Sequence, residues 1–360
     1  MSAMSPVLAK GIVADDRGAY AFGGSGKFVD GSIMSAAEMM KEAGLDWQVV
    51  KRPISFRKTS GSTKVIPSKF ALVRETDENF LSLAGPVYKP VQNDKSFGFI
   101  DRFVRNGHMK MAAAGNLCGG QYIWGLAQVG DSFTLPGQDK VGGYLLLVNP
   151  HLVGRSLVVK HLSVRFVCWN QVPALLTKAV SHSGEASTKN DGVFRMPHSL
   201  NFDESTQDKA EEAVGLSRKA LKEFQTKAET LVDAKCNADE ATDYFQEILR
   251  VGPYAPGSVL DQVVQATETR VAFDAILDAT EKKATRRLPI LVKMQEALLN
   301  SPGAVAPSAK GTMWGAFNAV TYVLDHQVCT DADRRLRDNW LGGRGEQKRE
   351  ALEIAMRRAA

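Results

Sequence analysis

Long apolar runs, paired cysteines and clustered histidines are all missing from this 360-residue sequence. No apolar run approaches the roughly 18 to 20 residues that a membrane-spanning helix needs, so no membrane partner is expected. The four cysteines form no CxxC pair, which argues against a disulfide framework or a zinc site and favours reduced thiols in a cytoplasm. The six histidines show neither HxH nor HxxxH spacing. The sequence therefore predicts a cytoplasmic protein with no metal site.

Carboxylates are missing over one long stretch. Residues 140–184 contain no Asp or Glu, yet SLVVKHLSVRFVC (156–168) carries Lys160, His161 and Arg165. On a strand, Leu162, Val164 and Phe166 fall on one face, which can pack on a helix, and His161, Ser163 and Arg165 fall on the other. We expect the other, polar face to be open to phosphates.

The charge is distributed unevenly along the chain. Residues 41–184 carry 18 Lys and Arg against 9 Asp and Glu, and residues 185–300 carry 15 against 20. We predict four segments: a flexible N-terminal arm (1–40), a basic α+β module (41–184), an acidic helical module (185–300) and a C-terminal helical segment with a basic final helix (301–360). The basic module suggests a polyanionic partner, unless the two modules simply attract each other.

Hydrophobic periodicity predicts the fold class. Strand-like segments lie at 120–130, 141–150 and 156–168, separated by turns rich in Gly, Pro and Asp. Pro173 suits the first turn of a following helix. The remainder, beyond about residue 185, is mostly helical in pattern. We predict an α+β protein in which an antiparallel strand meander plus a helix, a β-β-β-α core, is followed by a mainly helical C-terminal half.

Two helices are predicted in the first part of the chain. SAAEMMKEAG (35–44) should form a short helix that Gly44 ends. A second helix should begin after Asn93-Asp94, because the apolar residues that follow recur at helical spacing.

Several phrases resemble one protein family. They include GLDWQVVKRPI (44–54), AAGNLCGGQYIWGLAQV (113–129), VRFVCWNQVPAL (164–175) and GTMWGAFNAVTYVLDH (311–326). These are similar to the phage- and plasmid-borne proteins defined by a domain of unknown function, which are common in prophages. The resemblance covers roughly residues 44–356 and implies a bacterial host cytoplasm, but it implies no chemistry.

A second resemblance is topological. Three strands and a helix with basic residues beside it look like the core of the ring-forming single-strand annealing proteins. Those proteins carry single-stranded DNA along a basic groove on an oligomeric ring during phage recombination. The resemblance implies a single-stranded DNA partner, a homo-oligomer (ring or filament) and no cofactor.

The predicted nucleic-acid contacts follow from this reading. Basic side chains would bind phosphates without regard to sequence, and we name Lys51, Arg52, Arg102, Arg105, Lys110, Lys160 and Arg165. Aromatic side chains among these cations could stack on bases, and the candidates are Tyr122, Trp124, Tyr144 and Trp169. Taken singly, each aromatic is more typical of a core residue, so the evidence lies in the collective excess of cations.

Two other functions stay open. A phage structural or assembly protein would use the acidic helices and the basic last helix as partner surfaces. A hydrolase or nuclease could pair Cys168 with His151 or His161 as nucleophile and base, if the fold brought them together. A cysteine between Val167 and Trp169 is more typical of a buried apolar position, and no catalytic residue is predicted.

Overall fold

The computed structural model describes residues 26–28, 35–105, 109–165, 170–173, 187–188, 193–251 and 287–360. Contacts divide the chain into two units. The first is drawn from Met1–Ser132, Gly142–Ser163 and Pro173–Lys222, and the second from Phe133–Val141, Val164–Val172 and Glu223–Ala360. Most of the arm predicted at 1–40 lies outside the described residues, and the four segments proposed from charge stay a prediction.

Eleven strands are numbered in chain order within the described residues. They are β1 (Gly26–Phe28), β2 (Val49–Arg57), β3 (Thr63–Arg74), β4 (Phe80–Ala84), β5 (Met109–Leu117), β6 (Tyr122–Leu135), β7 (Asp139–Pro150), β8 (Ser156–Arg165), β9 (Gln171–Pro173), β10 (Ser187–Thr188) and β11 (Phe194–Pro197). The larger sheet has the order β1-β5-β6-β7-β8-β11-β10, with β9 beside β8. The smaller sheet has the order β2-β3-β4.

The described helices follow the predicted distribution. They are α1 (Ala36–Glu42), α2 (Asn93–Arg105), α3 (Glu204–Asp233), α4 (Ala238–Leu249), α5 (Pro302–Val305), α6 (Met313–Tyr322), α7 (Ala332–Leu341) and α8 (Gly343–Ala359). Residues 287–300 are also helical. Among the described residues, no helix is long and apolar enough to cross a membrane. The α+β class and the mainly helical C-terminal region are confirmed.

The predicted meander is confirmed as β6, β7 and β8, which are neighbours in the larger sheet. The helix expected after them at about 172–180 lies mostly outside the described residues. Gln171–Pro173 pairs with β8 as a short strand, and residues 174–180 lie outside the described part of the chain. The helical member of the predicted β-β-β-α core therefore stays a prediction.

Local sequence explains both early helices. Ser35 caps α1 and forms a capping box with Glu38, which satisfies backbone N–H groups that the first turn would leave unpaired. Gly44 adopts φ 66° directly after the helix, a conformation that glycine takes at little cost. Phe97 and Ile100 of α2 are buried in the core of the first unit. Gly125 of β6 allows α2 to pack closely on the strand, since a Cβ at this position would lie only 3.1 Å from Ile100 Cδ1.

The second unit has an aromatic core. Trp314 lies 6.0 Å from Phe224 and 5.8 Å from Phe317, measured between ring centroids. Lys348 of α8 is fully buried and forms an ion pair with Asp325. Burial lowers the pKa of Lys348 from its ordinary value, and Asp325 opposes that shift. These contacts make the last helices part of a packed core.

Candidate nucleic-acid interface

An exposed basic feature of the first unit is the hairpin formed by β2 and β3, which we call the basic hairpin (residues 51–74). Its strands pair antiparallel from Val49 with Arg74 outward to Arg57 with Thr63. The turn is closed by Lys58 N–H donating to Ser62 O at 2.8 Å. Gly61 has φ 85° in this turn, which favours glycine. The segment therefore extends a two-stranded ribbon away from its buried base.

The basic hairpin contains cations but no anions. It carries seven Lys and Arg and no Asp or Glu between residues 51 and 74. The members near the tip, Arg57, Lys58 and Lys64, are exposed, and so are Arg52 on β2 and Lys69 on β3. Within the described residues none of these five forms an ion pair with a carboxylate. The hairpin therefore presents uncompensated positive charge to solvent.

An exposed aromatic ring lies among these charges. Phe56 of β2 is 49% exposed and is the direct cross-strand partner of Lys64. Directly opposed residues lie on the same face of an antiparallel pair. Val65, which is 57% exposed, pairs with Ser55 and so faces the other side. Phe56 was not among the stacking residues predicted from the sequence. Its position directly before Arg57 and Lys58 could have indicated an aromatic ring among cations.

Two cations at the base of the hairpin already have partners. Lys51 Nζ donates to Pro86 O at 3.0 Å and lies 5.6 Å from the ring centroid of Phe70. Arg74 Nη2 donates to Gly119 O at 2.7 Å, and its guanidinium lies over the ring of Trp47. These residues therefore hold the base of the ribbon, and its tip holds the available charge.

The remaining predicted phosphate contacts near the surface are spread over other elements. Arg102 of α2 is 35% exposed and lies 3.7 Å from Glu204 and 3.9 Å from Asp208. Arg105 ends α2, but its side chain lies outside the described atoms. Lys110 is exposed on β5. A phosphate-binding role for these residues, and for Lys51 and Arg52, stays a prediction.

The expectation of an open polar face on β8 is wrong. Every residue from Val159 to Arg165 is buried, so both faces of this part of the strand are covered. Lys160 is 1% exposed and Arg165 is 3% exposed. Arg165 binds the carboxylate of Asp139, whose side chain is 1% exposed. Side chains buried to this degree cannot reach a phosphate from solvent, so the alternation of β8 reflects an ion pair inside the protein.

The predicted base-stacking residues are also buried where they are described. Tyr122 is 4% exposed, Trp124 is 0% exposed and Tyr144 is 1% exposed. They lie on strands of the larger sheet, whose β7 is almost entirely buried. Trp169 lies outside the described residues. Bases cannot reach the three described rings in this arrangement, because other side chains cover them.

Two buried histidines of the first unit, His151 and His161, contact polar side chains inside the protein. Asn93 Nδ2 donates to Leu45 O at 2.9 Å, which fixes the orientation of the side-chain amide. Its Oδ1 therefore accepts a hydrogen bond from His151 Nε2 at 2.9 Å. His161 Nε2 lies 3.2 Å from Ser163 Oγ. Burial lowers the pKa of His151 to about 3 and the pKa of His161 to about 4. Both rings are neutral at physiological pH.

The proposed nucleophile cannot be placed beside either histidine, because Cys168 lies outside the described residues. In the part of the chain that is described, no group of three or more His, Cys, Asp and Glu could hold a metal ion.

Comparison with known proteins places the chain in a family. Residues 80–341 match the family model described as Domain of unknown function (DUF932). The chain belongs to this family. No curated protein and no solved structure matches it. The family match begins at β4, so the basic hairpin precedes the matched residues.

Proposed function

We propose that this DUF932-family protein binds single-stranded DNA through the basic hairpin and promotes strand annealing as a homo-oligomer. The observation that carries the proposal is the exposed ribbon of cations with no carboxylate between residues 51 and 74. Binding by such a surface is electrostatic and independent of sequence. We further propose the phage setting and the bacterial cytoplasm that the sequence resemblance implies.

The charge pattern of the hairpin fits a polyanion better than an added β-strand. A strand that accepts another strand at its edge needs a regular row of free backbone groups. Pro53 lacks a backbone N–H, and the pairing register of the two strands shifts between Pro53 and Ser55. On β3, Ser68 has φ 59°. These irregularities and the like charges oppose edge pairing, whereas a flexible phosphate backbone can follow such a surface.

Two variants of equal charge test the proposal. The first is Arg57→Ala/Lys58→Ala/Lys64→Ala, and the control removes three exposed cations elsewhere in the first unit, Lys41→Ala/Lys89→Ala/Lys95→Ala. Binding to a fluorescent oligothymidylate would be measured from low to high salt. We expect the hairpin variant to bind more weakly and to lose about 2 in the slope of log K against log[salt], since each single-strand phosphate contact contributes roughly 0.7.

The control variant should retain both the affinity and most of the salt slope. Equal losses in the two variants would mean that net charge, rather than the hairpin, attracts DNA. Unchanged binding in the hairpin variant would overturn this interface. Annealing is tested separately by mixing complementary labelled strands, while particle mass is recorded with and without DNA. A protein that binds DNA but neither anneals strands nor assembles would retain only the binding part of the proposal.

A further inference from the structure

The ring of Phe56 has an unusual setting on the basic hairpin. About half of the side chain is exposed, and Lys64 lies directly opposite it on β3. Arg57 and Lys58 follow it in the chain. In the described residues, Phe56 has no partner ring and no cation over its face. A half-exposed aromatic ring therefore lies directly opposite an exposed ammonium group and next to Arg57, whose Nε donates to Gly61 O at 3.3 Å.

We infer that Phe56 stacks on an unpaired base while Lys64 binds a neighbouring phosphate. This inference rests on the proposed function and gives the hairpin its preference for single strands. Every base has a π-face, so stacking on an aromatic side chain tolerates any sequence. In a duplex both faces of each internal base are covered by its neighbours, and only the phosphates remain available to the cations.

The two exposed apolar side chains of the hairpin differ in what they can offer. Val65 is as exposed as Phe56, but it is aliphatic and lies on the opposite face of the ribbon. It cannot stack on a base. Val65→Ala is therefore a matched control for the removal of an exposed apolar group from the same ribbon.

The experiment measures binding of full-length Phe56→Ala, Phe56→Leu, Phe56→Tyr and Val65→Ala to an oligothymidylate and to a duplex of equal length, over a salt series. We expect Phe56→Ala and Phe56→Leu to weaken single-strand binding about five-fold or more, with little change for the duplex. Phe56→Tyr should retain single-strand affinity, and Val65→Ala should behave as the unmodified protein. The salt slope should stay the same in all four variants, because no charge is lost.

Each other outcome has a defined meaning. If Phe56→Ala binds single strands normally while Arg57→Ala/Lys58→Ala/Lys64→Ala binds poorly, the stacking role is wrong and the basic hairpin remains the interface. If Phe56→Ala weakens single-strand and duplex binding equally, Phe56 supports the shape of the ribbon and the inference also fails. If the charge variant binds as well as the unmodified protein, the interface itself is wrong.

Discussion

Arg165 and Asp139 form a buried, two-pronged ion pair across 26 positions of sequence. Arg165 Nε donates to Asp139 Oδ1 at 2.7 Å and Nη2 donates to Oδ2 at 2.5 Å. The remaining nitrogen, Nη1, donates to Gly303 O at 2.5 Å. Asp139 Oδ2 also accepts from Ser308 Oγ at 2.6 Å and from Trp314 Nε1 at 3.3 Å. The pair therefore fixes the chain around α5 and the start of α6.

Asp139→Asn should destabilise the protein strongly. The substitution leaves the Arg165 guanidinium buried without its counter-charge, and breaking a buried pair in this way costs about 3–5 kcal/mol. Urea unfolding followed by circular dichroism measures the change. Asp338→Asn is the control, since Asp338 lies 3.7 Å from Arg334 at a partly exposed site, where an ion pair contributes about 0–1 kcal/mol. Equal losses in the two variants would contradict the structural role of the buried pair.

The free energy of unfolding should fall as the pH drops below about 6.5. Burial lowers the pKa of His161 and the pKa of His198 to about 4, and that of His151 to about 3. Unfolded histidine has a pKa of about 6.5, so the unfolded chain binds more protons between pH 6.5 and 4. Each ring contributes a slope of up to about 1.4 kcal/mol per pH unit in that range.

The measurement is urea unfolding at several pH values between 7.5 and 5, where most carboxylates stay ionised. His161→Gln removes one titrating group and should give a shallower pH dependence than the unmodified protein, even if its stability at pH 7.5 is lower. A variant whose stability follows pH with the same slope would show that His161 titrates normally in the folded state.

Gly315→Ala should destabilise the second unit, because an added Cβ would lie 2.2 Å from the Ala309 carbonyl oxygen. Thr312 holds that carbonyl in place through its hydroxyl, which donates to Ala309 O at 2.8 Å and accepts from Gly315 N–H at 3.3 Å. Overpacking of this kind costs about 1–3 kcal/mol, which thermal unfolding detects. Gly343→Ala, where nothing lies within 4 Å of the added Cβ, should change stability by no more than about 0.5 kcal/mol.

Local patterns predicted much of the fold. The capping box at Ser35, the glycine turn at Gly44 and the helical spacing after Asn93 each depend on residues within a few positions. The three strands of the meander were readable for the same reason, since alternation and turn residues are local signals. The pairing of Gln171–Pro173 with β8 was missed. The residues around Pro173 are equally compatible with the end of a strand and with the first turn of a helix.

The candidate site was predicted only in part. Of the cations named from the sequence, Arg52 is exposed on the basic hairpin, whereas its other exposed cations, Arg57, Lys58, Lys64 and Lys69, were not among them. Lys160 and Arg165 were named from a strand-like segment without nearby carboxylates, but both are buried. Phe56 was not named, whereas the larger aromatic residues Tyr122, Trp124 and Tyr144 were named and are buried in the core. Large rings are more often covered because they bury the most apolar area.

The sequence by itself determined the early helices, the strand meander, the uneven charge and the absence of carboxylates between residues 51 and 74. Only the tertiary structure decided which cations meet solvent. A strand with alternating polar residues has the same pattern whether water or another layer of protein covers its polar face. Asp139 becomes the partner of Arg165 because folding brings two distant segments together. The cations at the tip of the basic hairpin are exposed and pair with no described carboxylate.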